Sequence, residues 1–474
     1  MPNAYQKIYP DRSSTHTLRK ANISVSFFGE KQGLPERKVR EMAKKNNHEI
    51  RDPIYAFVHM DSSEREVLNS APVQRLRHIH QLALTSLVYP GATHRRFEHS
   101  LGVMELATRI YNAVLENGEI DILDIDGKYD KIYYLRVLRM AALVHDIGHA
   151  PFSHASEDLF PGDCNHEVMT LRLIESDEME RLWAMLKIQT EDVAKLALGR
   201  DHPKKKTFSN TEAILSEIIT GDAFGADRMD YLLRDSHHTG VAYGRFDHYR
   251  LIETLRILPK AYEGGSKEPA LGVETGGLQS AEALLLARYF MFSQLYFHPV
   301  RRIYDIHLKE YLQAWLKGGR FPVDVAEHLN LTDNEVMAGI WRASRDPDLP
   351  GHDVAARIVM RNHYRVLYTR NPDDVLKCRE AGLAIYTAAC AEFGEENVRH
   401  DRPKIPASQV AFPVLEPDGR IVSSLLKSDA LRYIPEVAVD TVYIRPELLD
   451  AGRAWLNENR ESIIESGSEL EDMT

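Results

Sequence analysis

The densest group of titratable side chains in the chain is His145, Asp146, His149 and His154, four within ten consecutive positions. An apolar run (Leu135, Val137, Leu138, Met140, Ala141, Leu143, Val144) leads into His145-Asp146. Adjacent side chains on a helix diverge by about 100°. Neighbouring His and Asp can therefore face one cation only near a helix end, which Gly148 and Pro151 supply. A single histidine beside an apolar run is most often a satisfied core residue, and a lone His-Asp pair a structural hydrogen bond. Four titratable groups at one helix end exceed what packing requires.

Two other segments supply donors. Arg96-Phe97-Glu98-His99 precedes Val103, Leu106, Ala107 and Ile110, a helical spacing that puts His99 in the first turn. Farther on, Asp227, Asp230, Tyr231 and Arg234 recur at i, i+3, i+4 and i+7, one polar helical face with Met229, Leu232 and Leu233 behind it. His99, His145, Asp146 and Asp227 then form a mixed nitrogen and oxygen donor set. Such a set suits Mn, Fe, Co or Zn better than Mg or Ca and leaves positions open for water and substrate.

These residues reproduce an H…HD…D signature, and the chain resembles the HD-domain metal-dependent phosphohydrolases. The segments Tyr89 to Val103, His145 to His154 and Ala226 to Asp235 narrow the resemblance to the deoxynucleoside triphosphate (dNTP) triphosphohydrolase branch, which includes the vertebrate enzyme with an appended sterile-alpha-motif domain. The likeness runs from about Arg51 to about His307.

The resemblance implies hydrolysis of a dNTP to deoxynucleoside and inorganic triphosphate, water attacking the α-phosphorus. It implies a divalent transition metal on His99, His145, Asp146 and Asp227, with Mg accompanying the triphosphate. It puts His149, His154 and His166 nearest the scissile bond. The departing 5′ oxygen needs a proton near neutral pH, which suits His154 as general acid with Glu157 orienting it. His149 and His166 then contact phosphate oxygens or water. Arg96, Arg228 and Arg288 match phosphate-contacting positions, Arg228 standing where the vertebrate relative has lysine and offering a planar fork instead of a point charge. Gln81 and Asp235 match contacts to the sugar 3′-hydroxyl, and Tyr231 and Tyr296 match rings against the deoxyribose that exclude a ribose. A homotetramer or homohexamer with a dNTP effector at subunit contacts is also implied.

Positioning such a site calls for a mainly α fold, an HD-domain helical core with an inserted β-hairpin and a small α+β C-terminal lobe. Helices are expected over Val67 to Leu84, His99 to Leu115, Leu135 to Asp146, Asn165 to Ile174, Glu212 to Ile219, Asp227 to Arg234, and again from Ser280. Arg288 and Tyr296 are eight residues apart, which predicts nearly the same helical face. Arg256 to Pro259 and Ala270 to Glu274 flank Gly264-Gly265-Ser266 as a hairpin, and Gln409 to Val414 with Arg420 to Val422 flank Glu416-Pro417-Asp418-Gly419 as a second. Thr441 to Ile444 is a further strand candidate, and the acidic tail from Glu461 is expected to fray. The expected organisation is an arm over 1–50, the HD domain over 51–307 and a regulatory or oligomerisation lobe over 308–474. Lys204-Lys205-Lys206 suggests an effector or single-strand contact, although adjacent lysines more often form a solvated loop.

With 474 residues, net charge −11 and three cysteines (Cys164, Cys378, Cys390), the chain reads as a cytoplasmic enzyme without a disulfide framework. No apolar run is long enough for a membrane span, and the first residues lack a leader's apolar segment. The acidic balance argues against duplex DNA as the main partner. Two other readings share these residues: an HD hydrolase of a monophosphate, cyclic nucleotide or other phosphoester, and a nucleotide or single-stranded nucleic-acid sensor with a vestigial site.

Overall fold

Asp130, Asn165 and Ser209 each accept a hydrogen bond from the backbone N–H three residues ahead, and each opens a helix that carries or backs the histidine and aspartate cluster. The structure, a computed structural model, describes residues 47–117, 129–260, 268–403 and 410–471. The expected arm therefore lies outside the described residues as far as position 46, while 47–50 belong to a strand. The turn at 264–266 and residue 409 also lie outside them.

An antiparallel pair, β1 (Asn47–Asp52) and β2 (Ala56–Asp61), leads into α1 (Ser62–Leu68) and α2 (Ala71–Arg75). The expected continuous helix from Val67 to Leu84 is corrected here. Ser70 starts a new helix with Pro72 in its first turn, and by Ile79 the backbone is extended so that His80 can bridge Arg95. The helical body follows: α3 (Arg96–Asn117), α4 (Lys131–Val144), α5 (His166–Ile174), α6 (Asp177–Leu186), α7 (Thr190–Leu198), α8 (Asn210–Thr220), α9 (Ala226–Thr239) and α10 (His248–Thr254). The fold is mainly α, as expected.

The stripes read from the sequence form the core. Val103, Leu106, Ala107 and Ile110 of α3 meet Val137, Leu138, Ala141 and Val144 of α4 and Met229 and Leu232 of α9, all buried. Burying one such large aliphatic side chain contributes about 1.5–3 kcal/mol. The α3–α9 crossing is close at Gly102, where a Cβ would lie 2.0 Å from Asp230 Oδ1 and 2.2 Å from Arg234 Nη2.

Strands β3 (Leu255–Pro259) and β4 (Pro269–Glu274) form the inserted hairpin, Ile257 opposite Leu271. Next, α11 (Leu278–Met291) does not run on to Tyr296 as an α-helix, because a π-helical turn spans Phe292–Tyr296. The two-turn face expected for Arg288 and Tyr296 is thus corrected: the wider turn re-aims Tyr296, a distortion common at functional sites.

Beyond it come α12 (Pro299–Trp315), α13 (Val325–Leu329), α14 (Asp333–Ala343) and α15 (His352–Val359), then β5 (Arg365–Thr369), α16 (Pro372–Lys377), α17 (Ala381–Phe393) and β6 (Val398–Asp401). The chain closes with β7 (Pro413–Leu415), β8 (Ile421–Ser423), α18 (Ser424–Lys427), α19 (Asp429–Arg432), β9 (Thr441–Ile444) and α20 (Leu449–Glu471). The second hairpin, β7–β8, joins the first in one sheet of order β3-β4-β7-β8 through parallel pairing of Val273 with Val414. β9 lies between β5 and β6 in a separate sheet. Position 308, the expected domain boundary, falls inside α12, and Asn47–Thr474 form one unit. The tail expected to fray is helical to Glu471, held by buried Ile464 against Cys378 and Ala381. Among the described residues, no helix is long and apolar enough to cross a membrane.

The tight crossing yields a prediction. Gly102→Ala forces a methyl group into Asp230 and Arg234, and should destabilise the protein by about 1–3 kcal/mol, the usual cost of overpacking. Thermal unfolding reads this out, and an unchanged midpoint would mean that α3 and α9 can separate freely.

Candidate metal and phosphohydrolase site

His145 caps the C-terminal end of α4 and pairs its Nδ1 with the Ala142 carbonyl oxygen at 2.8 Å. That contact makes Nδ1 the donor and turns Nε2 toward Asp146 Oδ1 at 3.4 Å and Asp227 Oδ1 at 3.6 Å, carboxylates that raise the imidazole against burial. Nε2 is buried without a hydrogen-bond partner. His99, from the first turn of α3, reaches the same place: Nε2 is 3.0 Å from Asp227 Oδ1 and 3.6 Å from Asp146 Oδ2, while Nδ1 pairs with Asp230 Oδ2 at 2.8 Å. Donor atoms of His99, His145 and Asp146 all lie within 4.8 Å of one another. The four side chains singled out in three distant stretches therefore converge.

The charges around this centre match a cation. Burial would raise Asp146 and Asp227, but Arg96 and His145 hold the first well below the usual carboxylate range, and His145 and His99 do so for the second. Burial would lower His99, yet hydrogen bonds to Asp227 and Asp230 push it up to about 10. Arg96 is ion-paired with Asp146, and Arg234 with Asp52 and Asp230, while the imidazoles of His99 and His145 stand against Asp227. A buried imidazole nitrogen without a hydrogen-bond partner and a two-nitrogen, two-oxygen donor set fit a divalent metal.

The second histidine group stands beside it. Gly148 lets the turn after His145-Asp146 press on α5, where a Cβ would meet the Thr170 nitrogen at 2.2 Å. As a result the His149 and His166 rings stack, 4.2 Å apart and 10° from parallel, with the His154 ring edge-on to both. Glu157 accepts from His154 Nδ1 at 2.9 Å, as the one-turn spacing suggested, and also from His166 Nδ1, which the sequence did not suggest. These environments divide the imidazoles. Burial and Arg96 drive His149 well below the ordinary histidine value, whereas Glu157 raises His166 against burial. The His154 side chain is 63 % exposed.

The remaining expected contacts lie around Tyr231. Burial raises the Tyr231 phenol, and the charges of Arg228 and Arg288 act against that shift. Burial, then the neighbouring Arg228 charge, lowers Arg288, whose Nη1 is buried without a partner. Arg228 is bonded to Asp222 at 2.5 Å. Tyr296 lies edge-on to Tyr231 and donates its hydroxyl to Asp235 Oδ2 at 2.7 Å. Gln81 keeps its buried Oε1 without a partner. Arg96, expected on phosphate, donates to Asp146 and, at 2.6 Å, to Ser153 Oγ. In the lysine triplet, Lys204 and Lys206 are paired with Glu175 and Glu191.

Several supporting residues carried no role in the sequence reading. Asp230 orients His99, and Arg234 grips Asp230 through Nε and Nη2 at 2.9 Å each while Nη1 reaches Asp52 at 2.9 Å. The i, i+3, i+4, i+7 spacing already aligned Asp230 and Arg234 with Asp227; their partners across the fold had no such signal. His94 donates to Asp235 Oδ1 at 2.7 Å from a stretch without periodicity.

The chain is similar to several known proteins. Residues 96–235 match the HD domain, and residues 246–414 match the HD associated region. An uncharacterized protein of Methanocaldococcus jannaschii is 36% identical over 320 residues, 68% of this chain and 59% of its own. Deoxynucleoside triphosphate triphosphohydrolase SAMHD1 of Gallus gallus is 28% identical over 408 residues, 77% of this chain and 62% of its own. This chain thus spans about three-fifths of the length of these two relatives. The crystal structure of a hypothetical protein from Aquifex aeolicus is similar with a TM-score of 0.70 at 32% identity, covering 86% of this chain and 100% of that one.

Arg234 is fully buried between two carboxylates, so Arg234→Ala should cost about 3–5 kcal/mol, the usual penalty for stranding a buried charge. Urea unfolding measures it; a loss below about 1 kcal/mol would show that water reaches Asp230 and Asp52.

Proposed function

The chain belongs to the HD-domain, dNTPase-like family of phosphohydrolases, and from that premise we propose that it hydrolyses a dNTP to deoxynucleoside and inorganic triphosphate. The observation that carries this reading is the convergence of His99, His145, Asp146 and Asp227 about the unpaired Nε2 of His145. A divalent transition metal held there supplies Lewis acidity toward a phosphate oxygen and toward water.

The chain's own residues account for the rest. Arg228 and Arg288 bind the polyphosphate, so that local cations outweigh a net charge of −11. Asp146 and Asp227 stay ionised and bind the metal without competing for the proton needed at the leaving group. His154 acts as the general acid. Glu157 holds its Nδ1, so the transferable proton sits on Nε2 and passes to the departing 5′ oxygen. His149, kept neutral by burial and Arg96, serves as a hydrogen-bond partner rather than an acid. Tyr231 and Tyr296 enclose the sugar, and Asp235, fixed by His94 and Tyr296, receives the 3′-hydroxyl.

Incubation with each dNTP and NTP in the presence of Mn, Fe, Co or Mg tests the reading. Intact triphosphate from dNTPs is the expected product, and orthophosphate or pyrophosphate would point to another phosphoester as substrate. Asp146→Ala should lose metal and turnover together, read by elemental analysis and product assay; full metal occupancy would contradict its role as a ligand. His154→Ala should retain metal and slow turnover by about 10²–10⁴-fold, the usual worth of a positioned general acid. Unaltered turnover would remove His154 from the reaction.

A further inference from the structure

The loop that presents His154 is clamped from a helix far along the chain. Phe152 and Ser153, immediately before His154, both occupy the left-handed region, with φ of 60° and 56°. Two successive non-glycine residues hold that conformation only when their surroundings enforce it. The enforcing group is Asp333, the first residue of α14, 181 positions beyond Phe152. Its side chain is fully buried, and both oxygens are engaged. Oδ1 accepts the Phe152 N–H at 2.8 Å; Oδ2 accepts the His80 N–H at 2.8 Å and pairs with His80 Nδ1 at 2.6 Å.

The neighbours reinforce this clamp. The His80 ring lies within 3° of parallel to Phe152, and Phe152 is buried in the same core as Tyr304, Leu308, Val336 and Ile340 of α12 and α14. Arg75 ties the other end of the loop, donating Nη1 to the His149 carbonyl at 2.8 Å and Nη2 to the Leu331 carbonyl at 2.8 Å. The stretch Leu331–Asp333 is thereby linked to the backbone on both sides of Ala150-Pro151, and its strained end leads directly into the His154 turn.

We propose that Asp333 is a positioning residue for the hydrolysis, setting the direction of His154 by fastening the Phe152-Ser153 backbone to the His80 segment. This assignment rests on the reading of His154 as general acid. Asp333→Asn keeps the shape but turns an amide donor toward at least one N–H donor. It should lower kcat about 10–100-fold, the effect of a displacement of about 1 Å in a catalytic group. KM should stay within about threefold, and metal content should match the wild type, since the ligands themselves do not move.

The deciding experiment is a double-mutant cycle with dNTP as substrate. In a His154→Ala background, Asp333→Asn should change kcat by less than about twofold, because the group it positions is gone. An equal loss in both backgrounds overturns the assignment, as does a loss carried by KM or by metal content. If Asp333→Asn does not fold, judged by circular dichroism, the same cycle with His80→Ala decides by the same criterion. Absence of dNTP turnover by the wild-type protein defeats the functional reading and this assignment together; turnover with additive losses defeats this assignment alone.

Discussion

His99 is gripped at both ring nitrogens by carboxylates from a single turn of another helix, Asp227 on Nε2 and Asp230 on Nδ1. Everything else in the site is arranged around that grip. It sets the register of α3 against α9, and that register tolerates only hydrogen at position 102. It also concentrates negative charge where low dielectric makes charge costly. Arg234, with no exposed surface, offsets Asp230 and Asp52, and Arg96 offsets Asp146. Asp227 has the imidazoles of His99 and His145 against it instead, and these three with Asp146 frame the place where a cation would bind.

The same logic of paired and unpaired charge separates the histidines. His149 and His166 stack face to face, yet one is driven down by burial and a guanidinium, and the other is raised by Glu157 despite its burial. Environments that push adjacent imidazoles apart let one type of side chain fill different roles within a few ångströms. Glu157 is the hinge of this division because it serves His154 and His166 at once. The row thus works as one hydrogen-bonded assembly rather than as three separate groups.

The later part of the chain is part of this site. β7 and β8 extend the inserted hairpin's sheet, and Phe152 shares a core with α12 and α14. Arg75 and Asp333 connect the His149–Ser153 backbone to the segment Leu331–Asp333. Packing therefore carries straight across position 308 and reaches the loop that bears His154.

How much of this was legible in the residues follows from the range of the forces involved. Local signals were: the 3.6-residue stripes of α3, α4 and α9, the two hairpins, and the clustering of His145, Asp146, His149 and His154. His99, His145, Asp146 and Asp227 could be named as candidate ligands from their types and spacing, whereas Gln81, Asp235, Arg288 and Tyr296 were reached only through the family resemblance. The sequence alone could not show the partners that stiffen them. Arg234 with Asp52, His94 with Asp235, and Asp333 with Phe152 are 182, 141 and 181 positions apart, and no periodicity links one to the other. The helical tail was likewise a tertiary outcome, since burial of Ile464 against Cys378 and Ala381 outweighed the local pattern, whereas the break at Ser70 follows a local signal, Pro72. Propensity and spacing determine which side chains can do chemistry; only the closed chain determines which of them meet, because hydrogen bonds and burial act between groups the backbone keeps far apart until it folds.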